Sequence, residues 1–218
     1  MSDNAETGPG LPPASFDLGS VRITKVSVGP SDNNAYVVTD VATDSVLLVD
    51  AAAEAPVLND LLMGHDVVGV LTTHRHRDHW SALEDVVRTT GAPTFAHAAD
   101  APELPFPPDV LLADGDAVAV GVTTLSVRHV PGHTPGSLIV IVRGSAGPTH
   151  LLTGDSLFPG GVGNTWGDKD NFELLLGGVT REVFEAFPDD TVIDPGHGKS
   201  TTVGAERPHL AEWAERGW

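Results

Sequence analysis

The 218-residue chain is long enough for one domain with a sizeable core, and 40% hydrophobic against 19% charged residues excludes a disordered chain. Thirty acidic against 12 basic residues, a formal net charge of −18, argue against a nucleic-acid partner, which needs clustered Lys and Arg. The absence of cysteine excludes disulfides and thiolate ligation, so any metal must be held by histidines and carboxylates.

The N-terminal "MSDNAETGPGLPPASFD" is polar and contains Pro and Gly. It lacks the basic and apolar regions of a signal peptide. Residues 1–17 are expected to be a flexible tail, with a single domain over 18–218. No segment approaches the ~20 apolar residues of a membrane span. The expectation is a cytoplasmic protein with a small-molecule substrate and no membrane or nucleic-acid partner.

The segments 21–28, 34–40 and 45–52 are short, rich in β-branched residues and separated by turn residues, which predicts sequential antiparallel strands. Residues 55–63 have helical spacing and lead into 66–73. That segment is apolar on consecutive positions, as in a strand buried on both faces. A helix over 81–91, closed by Gly91, and a strand over 93–97 follow. In the second half, 117–130 reads as a strand pair or one long bent strand, and 137–144 and 150–155 as strands. Residues 171–187 have helical period, 191–197 are strand then loop, and 205–218 form a closing helix. Trp213 and Trp218 are expected to dock it. Strands followed by helices in each half fit a two-sheet sandwich with outer helices.

The stretch "HRHRDH" (74–79) packs three histidines and an aspartate behind a buried strand. Loops at that edge of a sheet commonly carry site residues. His74 and His76 alternate, so an extended backbone points them the same way, toward one cation. Asp78 and His79 lie beyond the bend and can face a second position. A solvated polar loop is the alternative, but three imidazoles and a carboxylate in so short a span favour metal binding. Other strand ends offer further ligands: His133 in "PGHTPG", Asp155 in "TGDS" and His197 in "PGHG". Each has glycine beside or near it, which allows close backbone approach.

"HRHRDH", "GHTPGS", "GDSLF" and "PGHG", in that order, resemble the metallo-β-lactamase superfamily, and most closely its glyoxalase II-like hydrolases. The resemblance covers nearly all of residues 20–200. It implies an α/β fold, an αββα four-layer sandwich of two mixed β-sheets flanked by helices, with the site at one edge between the sheets. It also implies two divalent metal ions, with zinc expected and iron or manganese as alternatives. His74, His76 and His133 would hold the first ion. Asp78, His79 and His197 would hold the second, and Asp155 would bridge the two. Asp50 matches an early strand-end aspartate of the family and is expected to fix a ligand imidazole or the loop.

The implied reaction is metal-assisted hydrolysis of a thioester or related activated acyl bond by a metal-bridging hydroxide, with Asp78 as the catalytic residue that orients it. Neither a cysteine nor a "GxSxG" elbow offers a protein nucleophile. The family's glutathione-binding helical region has little counterpart after His197, so the thiol carrier stays open. A lactonase is an alternative. So is a persulfide dioxygenase with a single iron on His76, His133 and Asp155. A β-lactamase is disfavoured, because Asp155 stands where those enzymes carry Cys or Ser. The run Gly160–Gly163 with Trp166 is read as a pocket rim or a surface loop, and Trp80 as lining the pocket or packing under the loop. Arg75 and Arg77 are expected to face away from the metals. His65, His97, His129, His150 and His209 are expected to serve packing.

Overall fold

The computed structural model describes residues 8–217. The chain runs β1 (Ala14–Asp17), β2 (Val21–Val28), β3 (Asn33–Asp40), β4 (Ser45–Val49), α1 (Ala55–Leu62), β5 (Asp66–Leu71), α2 (Leu83–Thr90), β6 (Thr94–His97) and β7 (Val110–Leu112). It continues β8 (Ala117–Val120), β9 (Thr123–His129), β10 (Leu138–Val142), β11 (His150–Gly154), β12 (Leu157–Phe158), β13 (Gly161–Val162), α3 (Lys169–Val179), β14 (Val192–Pro195), β15 (Thr201–Thr202), α4 (Val203–Glu206) and α5 (Leu210–Arg216).

Strands β1 to β7 form a seven-stranded sheet in chain order, and a six-stranded sheet runs β15-β14-β11-β10-β9-β8. β12 and β13 form a separate hairpin. Both sheets are mixed. The first is antiparallel from β1 to β4 and parallel from β4 to β7. Parallel neighbours need a crossover connection, and α1 and α2 supply two of them. In the second sheet only β11 and β14 are parallel, and α3 lies in their connection.

Three apolar layers separate the four structural layers. Leu47, Val49, Val38 and Ile23 meet Leu138, Val140, Val127 and Leu152 between the sheets. On the other face of the first sheet, Val46, Leu48 and Val37 pack on Leu58, Leu62, Leu83 and Val86 of α1 and α2. On the outer face of the second, Ile139, Ile141 and Leu151 pack on Leu175, Val179 and Trp213. Neighbouring residues in one strand thus enter different layers, as the period of two requires. This explains why β4 and β10 are apolar at nearly every position although most of their neighbours are antiparallel.

Several expectations need correction. The tail does not run through residue 17: Ala14–Asp17 pairs with β2, Phe16 packs against the inter-sheet core and Ala14 is buried. Residues 1–7 of that expected tail lie outside the described residues, as does Trp218. Strand β5 is buried on both faces only over its last half, since Asp66 is exposed and Val67 and Val68 are half-buried. For residues 117–130, where a strand pair or one bent strand was expected, the structure has the pair, a β8–β9 hairpin. The helix expected over 171–187 begins at Lys169, where Asp168 accepts from the Asn171 N–H at 3.0 Å, and ends in one wide π turn over Thr180–Phe184. Among the described residues no helix is long and apolar enough to cross a membrane.

Gly91 closes α2 as expected, at φ +67°, with its N–H donating to the Val87 carbonyl at 2.8 Å. A Cβ there would meet no atom within 4 Å, so Gly91→Ala perturbs the backbone alone. The variant should lose about 1–2 kcal/mol, seen as a lower urea midpoint at unchanged slope.

Candidate metal centre

The six loop residues 74–79 leave the carboxyl end of β5. They meet the β9–β10 connection, the turn after β11 and the turn after β14 at one edge of the sandwich. The structure brings all seven residues expected to be ligands into one cluster. One nitrogen each from His74, His76 and His133 lie within 4.8 Å of one another, as do single ligand atoms of Asp78, His79 and His197, and of His74, His79 and Asp155. Asp155 stands between the two histidine groups. Its Oδ1 is 3.3 Å from His79 Nε2, and its Oδ2 is 3.5 Å from both His133 Nε2 and His197 Nε2.

Hydrogen bonds on the far side of the rings set their tautomers. His133 Nδ1 donates to the Asn164 carbonyl and His197 Nδ1 to the Ser31 carbonyl, each at 2.9 Å. His79 Nδ1 donates to Asp50 Oδ2 at 2.8 Å. Thr73 Oγ1 gives its only proton to Asp50 Oδ2 at 2.7 Å, so at 3.1 Å it can only accept from His74 Nδ1. Neutral rings so held turn a bare Nε2 lone pair inward. His76 is the exception, because its Nδ1 faces the cluster. That atom lies 3.1 Å from His74 Nε2 and 2.9 Å from His133 Nε2, while His79 Nε2 is 3.2 Å from His197 Nε2. Nitrogen lone pairs converge at these distances only if a proton or a cation stands between them.

Electrostatics divide the cluster. Burial, reinforced by the neighbouring His79 charge, holds His74 well below the ordinary imidazole range. Burial also lowers His76, and it lowers His133 to about 4 against the opposing pull of Asp155. For His79, burial is outweighed by Asp50 and Asp155, which raise it to about 10. His197 is likewise raised by Asp155 against its burial. Burial opposes ionisation of Asp155, yet His197 and His79 hold it far below the usual carboxylate range. Asp155 Oδ1 is buried and has no hydrogen-bond partner. His79 Nε2 lies 3.3 Å from it without forming a hydrogen bond, and a buried carboxylate oxygen so placed is costly unless a cation among these residues satisfies it. The donor set, imidazole and carboxylate without sulfur, suits zinc, iron or manganese.

Asp50 lies where the sequence put it, buried at the end of β4, and accepts from the Thr73 N–H at 2.7 Å as well as from Thr73 Oγ1 and His79. Its φ of +61° is one of few positive values outside glycine, and such a backbone costs of order 1–3 kcal/mol. Gly196 leaves room for the centre, since a Cβ there would fall 2.2 Å from Asp155 Oδ1 and 2.5 Å from His79 Cε1. Asn33 was not singled out from the sequence. Its Nδ2 donates to Asp78 Oδ2 and to the Asp78 carbonyl, each at 3.0 Å. Asp78 is the most exposed of the seven, and it is held below the ordinary carboxylate range, against burial, by Asn33 and His79.

Trp80 packs beneath the loop, where its Nε1 donates to the Arg75 carbonyl at 2.7 Å. The Arg75 side chain turns to Glu103 at 3.6 Å, and Arg77 is exposed. Trp166 is 65% exposed at φ +54°, and its ring centroid is 5.4 Å from those of both His76 and His133. It therefore forms a rim. Phe158, at 6.4 Å from the His197 ring, stands at the other end. The remaining histidines stay outside the cluster. His150 is buried against Asp194 at 2.7 Å, His97 stacks on His129 at 3.9 Å, and His65 and His209 pair with Asp44 and Glu212.

Comparison with known proteins agrees with this geometry. The family model described as "Metallo-beta-lactamase superfamily" matches residues 28–197. A hydroxyacylglutathione hydrolase of Fuscovulum blasticum is 38% identical over 173 residues, covering 76% of this chain and 62% of its own length. This chain thus spans less than two thirds of that relative. Among solved structures, the B3 metallo-beta-lactamase BLEG-1 is similar at a TM-score of 0.77 and 28% identity, with 88% of this chain and 99% of that one covered. TTHA1623 in a di-iron-bound form is similar at 0.66 and 26%, with 84% and 96% covered. Fold, ligand cluster and sequence relatives agree: the chain belongs to the metallo-beta-lactamase superfamily.

Proposed function

We propose that the protein is a metal-dependent hydrolase that holds two divalent cations, zinc as the expected ion, and cleaves a thioester or related activated acyl bond in a small molecule. His74, His76 and His133 would hold the first cation, Asp78, His79 and His197 the second, and Asp155 both. The observation that carries this reading is the convergence of imidazole nitrogens on one another and on the buried Asp155 carboxylate, whose Oδ1 makes no hydrogen bond. Bound there, two cations supply an acidified water and an electrophile for the acyl carbonyl.

The chain's own residues do the rest. Asp78 is oriented by Asn33 and partly open to solvent, so it can direct a nucleophilic water and accept its proton. Asp50 and Thr73 keep His79 and His74 in the ligating tautomer. Trp166 and Phe158 give the mouth apolar walls for the acyl substrate. The hydroxyacylglutathione hydrolase relative supports the thioester class, and the di-iron neighbour supports a two-metal centre.

Elemental analysis of the purified protein, with turnover assays on thioesters, lactones and persulfides, tests the proposal. Close to two metals per chain are expected, with thioester hydrolysis that a chelator abolishes and added zinc restores. One iron per chain with oxygen uptake on a persulfide would replace the hydrolase by a dioxygenase. No hydrolysis anywhere in the panel would refute it.

A further inference from the structure

Asp50 hydrogen-bonds to Thr73, beside His74, and to His79, but none of these bonds is to His76, His133 or their immediate neighbours. A second buried carboxylate stands behind those two. Asp100 follows β6, is 1% exposed, and belongs to none of the ligand motifs. Its Oδ2 accepts from the Arg75 N–H at 3.0 Å and from Thr134 Oγ1 at 2.6 Å. Its Oδ1 accepts from the Gly136 N–H at 2.8 Å. Arg75 lies between His74 and His76 in sequence, and Thr134 follows His133. One carboxylate thus spans two separate ligand loops, one from each sheet. The approach is tight: a Cβ on Gly136 would lie 2.6 Å from Asp100 Cγ.

We propose that Asp100 is a positioning residue that fixes the His74–His76 loop against the His133 loop and thereby sets the geometry of the first cation site. The inference rests on the ligand assignment proposed above. Asparagine has nearly the same shape but only one oxygen. Whichever way its amide turns, either the Arg75 or the Gly136 N–H faces an NH2 group and loses its acceptor. The peptide between His74 and His76, or the loop after His133, must then shift. The second site draws on Asp78, His79 and His197, none of which bonds to Asp100.

Zinc titration of the metal-free protein against a chromophoric chelator tests this, in the wild type and in D100N. D100N should weaken one of the two zinc sites by about 10–100-fold and leave the other within about threefold, as expected for a residue bonded behind the ligands. In an H197A background, where the second site is already broken, D100N should still weaken the remaining zinc. In an H133A background it should change nothing further. T134V removes one bond and keeps the carboxylate, and it should give a smaller loss at the same site, which preserves the test if D100N folds poorly. Urea denaturation of the metal-free variants separates a general loss of stability. Equal weakening of both sites, or none, overturns the role of Asp100 while leaving the ligand set intact. A wild-type chain that binds no zinc overturns the ligand set itself.

Discussion

On the proposed two-cation site, Asp155→Ala should reduce turnover by at least about 10³-fold, because positioning and polarisation by two cations would be worth several kcal/mol and each ~1.4 kcal/mol is a factor of ten. Asp155 lies within 3.5 Å of nitrogens from both histidine groups. Its loss also leaves three imidazole nitrogens facing one another without an intervening anion, which weakens retention of two cations. Metal content should fall below two per chain, and the melting temperature should respond less to added zinc than in the wild type. Elemental analysis, a thioester assay and a melting curve with and without zinc read these effects together. Wild-type turnover in the variant would remove Asp155 from the chemistry.

Asp50→Ala should damage both stability and metal binding. The carboxylate accepts from the Thr73 N–H, Thr73 Oγ1 and His79 Nδ1, all of them buried. In the metal-free protein His79, raised to about 10, is protonated at neutral pH, so Asp50 is its buried counter-charge. Removing one partner of such a pair costs about 3–5 kcal/mol. Urea denaturation in the presence of chelator should show that loss. Asp50→Asn keeps the shape and tolerates the positive φ, so its stability loss should be smaller. It should still weaken metal binding by about 10–100-fold, because His79 then loses the anion that orients it. Equal stability of wild type and Asp50→Ala in chelator would refute the pairing.

How much of this was legible in the sequence depended on two physical signals. Strands long enough to show β-branched runs between turns, such as Val21–Val28, were read to the residue. β7, β12, β13 and β15 have two or three residues each, too few for any period to appear. Phe16, a single aromatic in a stretch with Pro and Gly, carries no alternation, and only its tertiary packing makes Ala14–Asp17 a strand. The clustering of the seven candidate residues was legible because their histidines and aspartates gather at strand ends, several of them beside glycines. Asp50 was legible because it ends a strand. Asn33, Thr73 and Asp100 were not. Such polar residues are common at turns, and their direction is set by packing between segments far apart in the chain. Asp100 reaches Gly136 across 36 positions.

The two sheets do not contribute equally to the cluster, and each proposed cation needs both. His74, His76, Asp78 and His79 follow β5 in the first sheet, whereas His133, Asp155 and His197 follow strands of the second. On the proposed ligand set, neither half of the chain alone presents a complete site. A bound cation is then a cross-link between the layers, and its contribution to stability rises with the free ion concentration. On that ligand set, arming the enzyme requires the closed sandwich, so a chain with only one half folded carries no hydrolytic centre to act on the wrong bond.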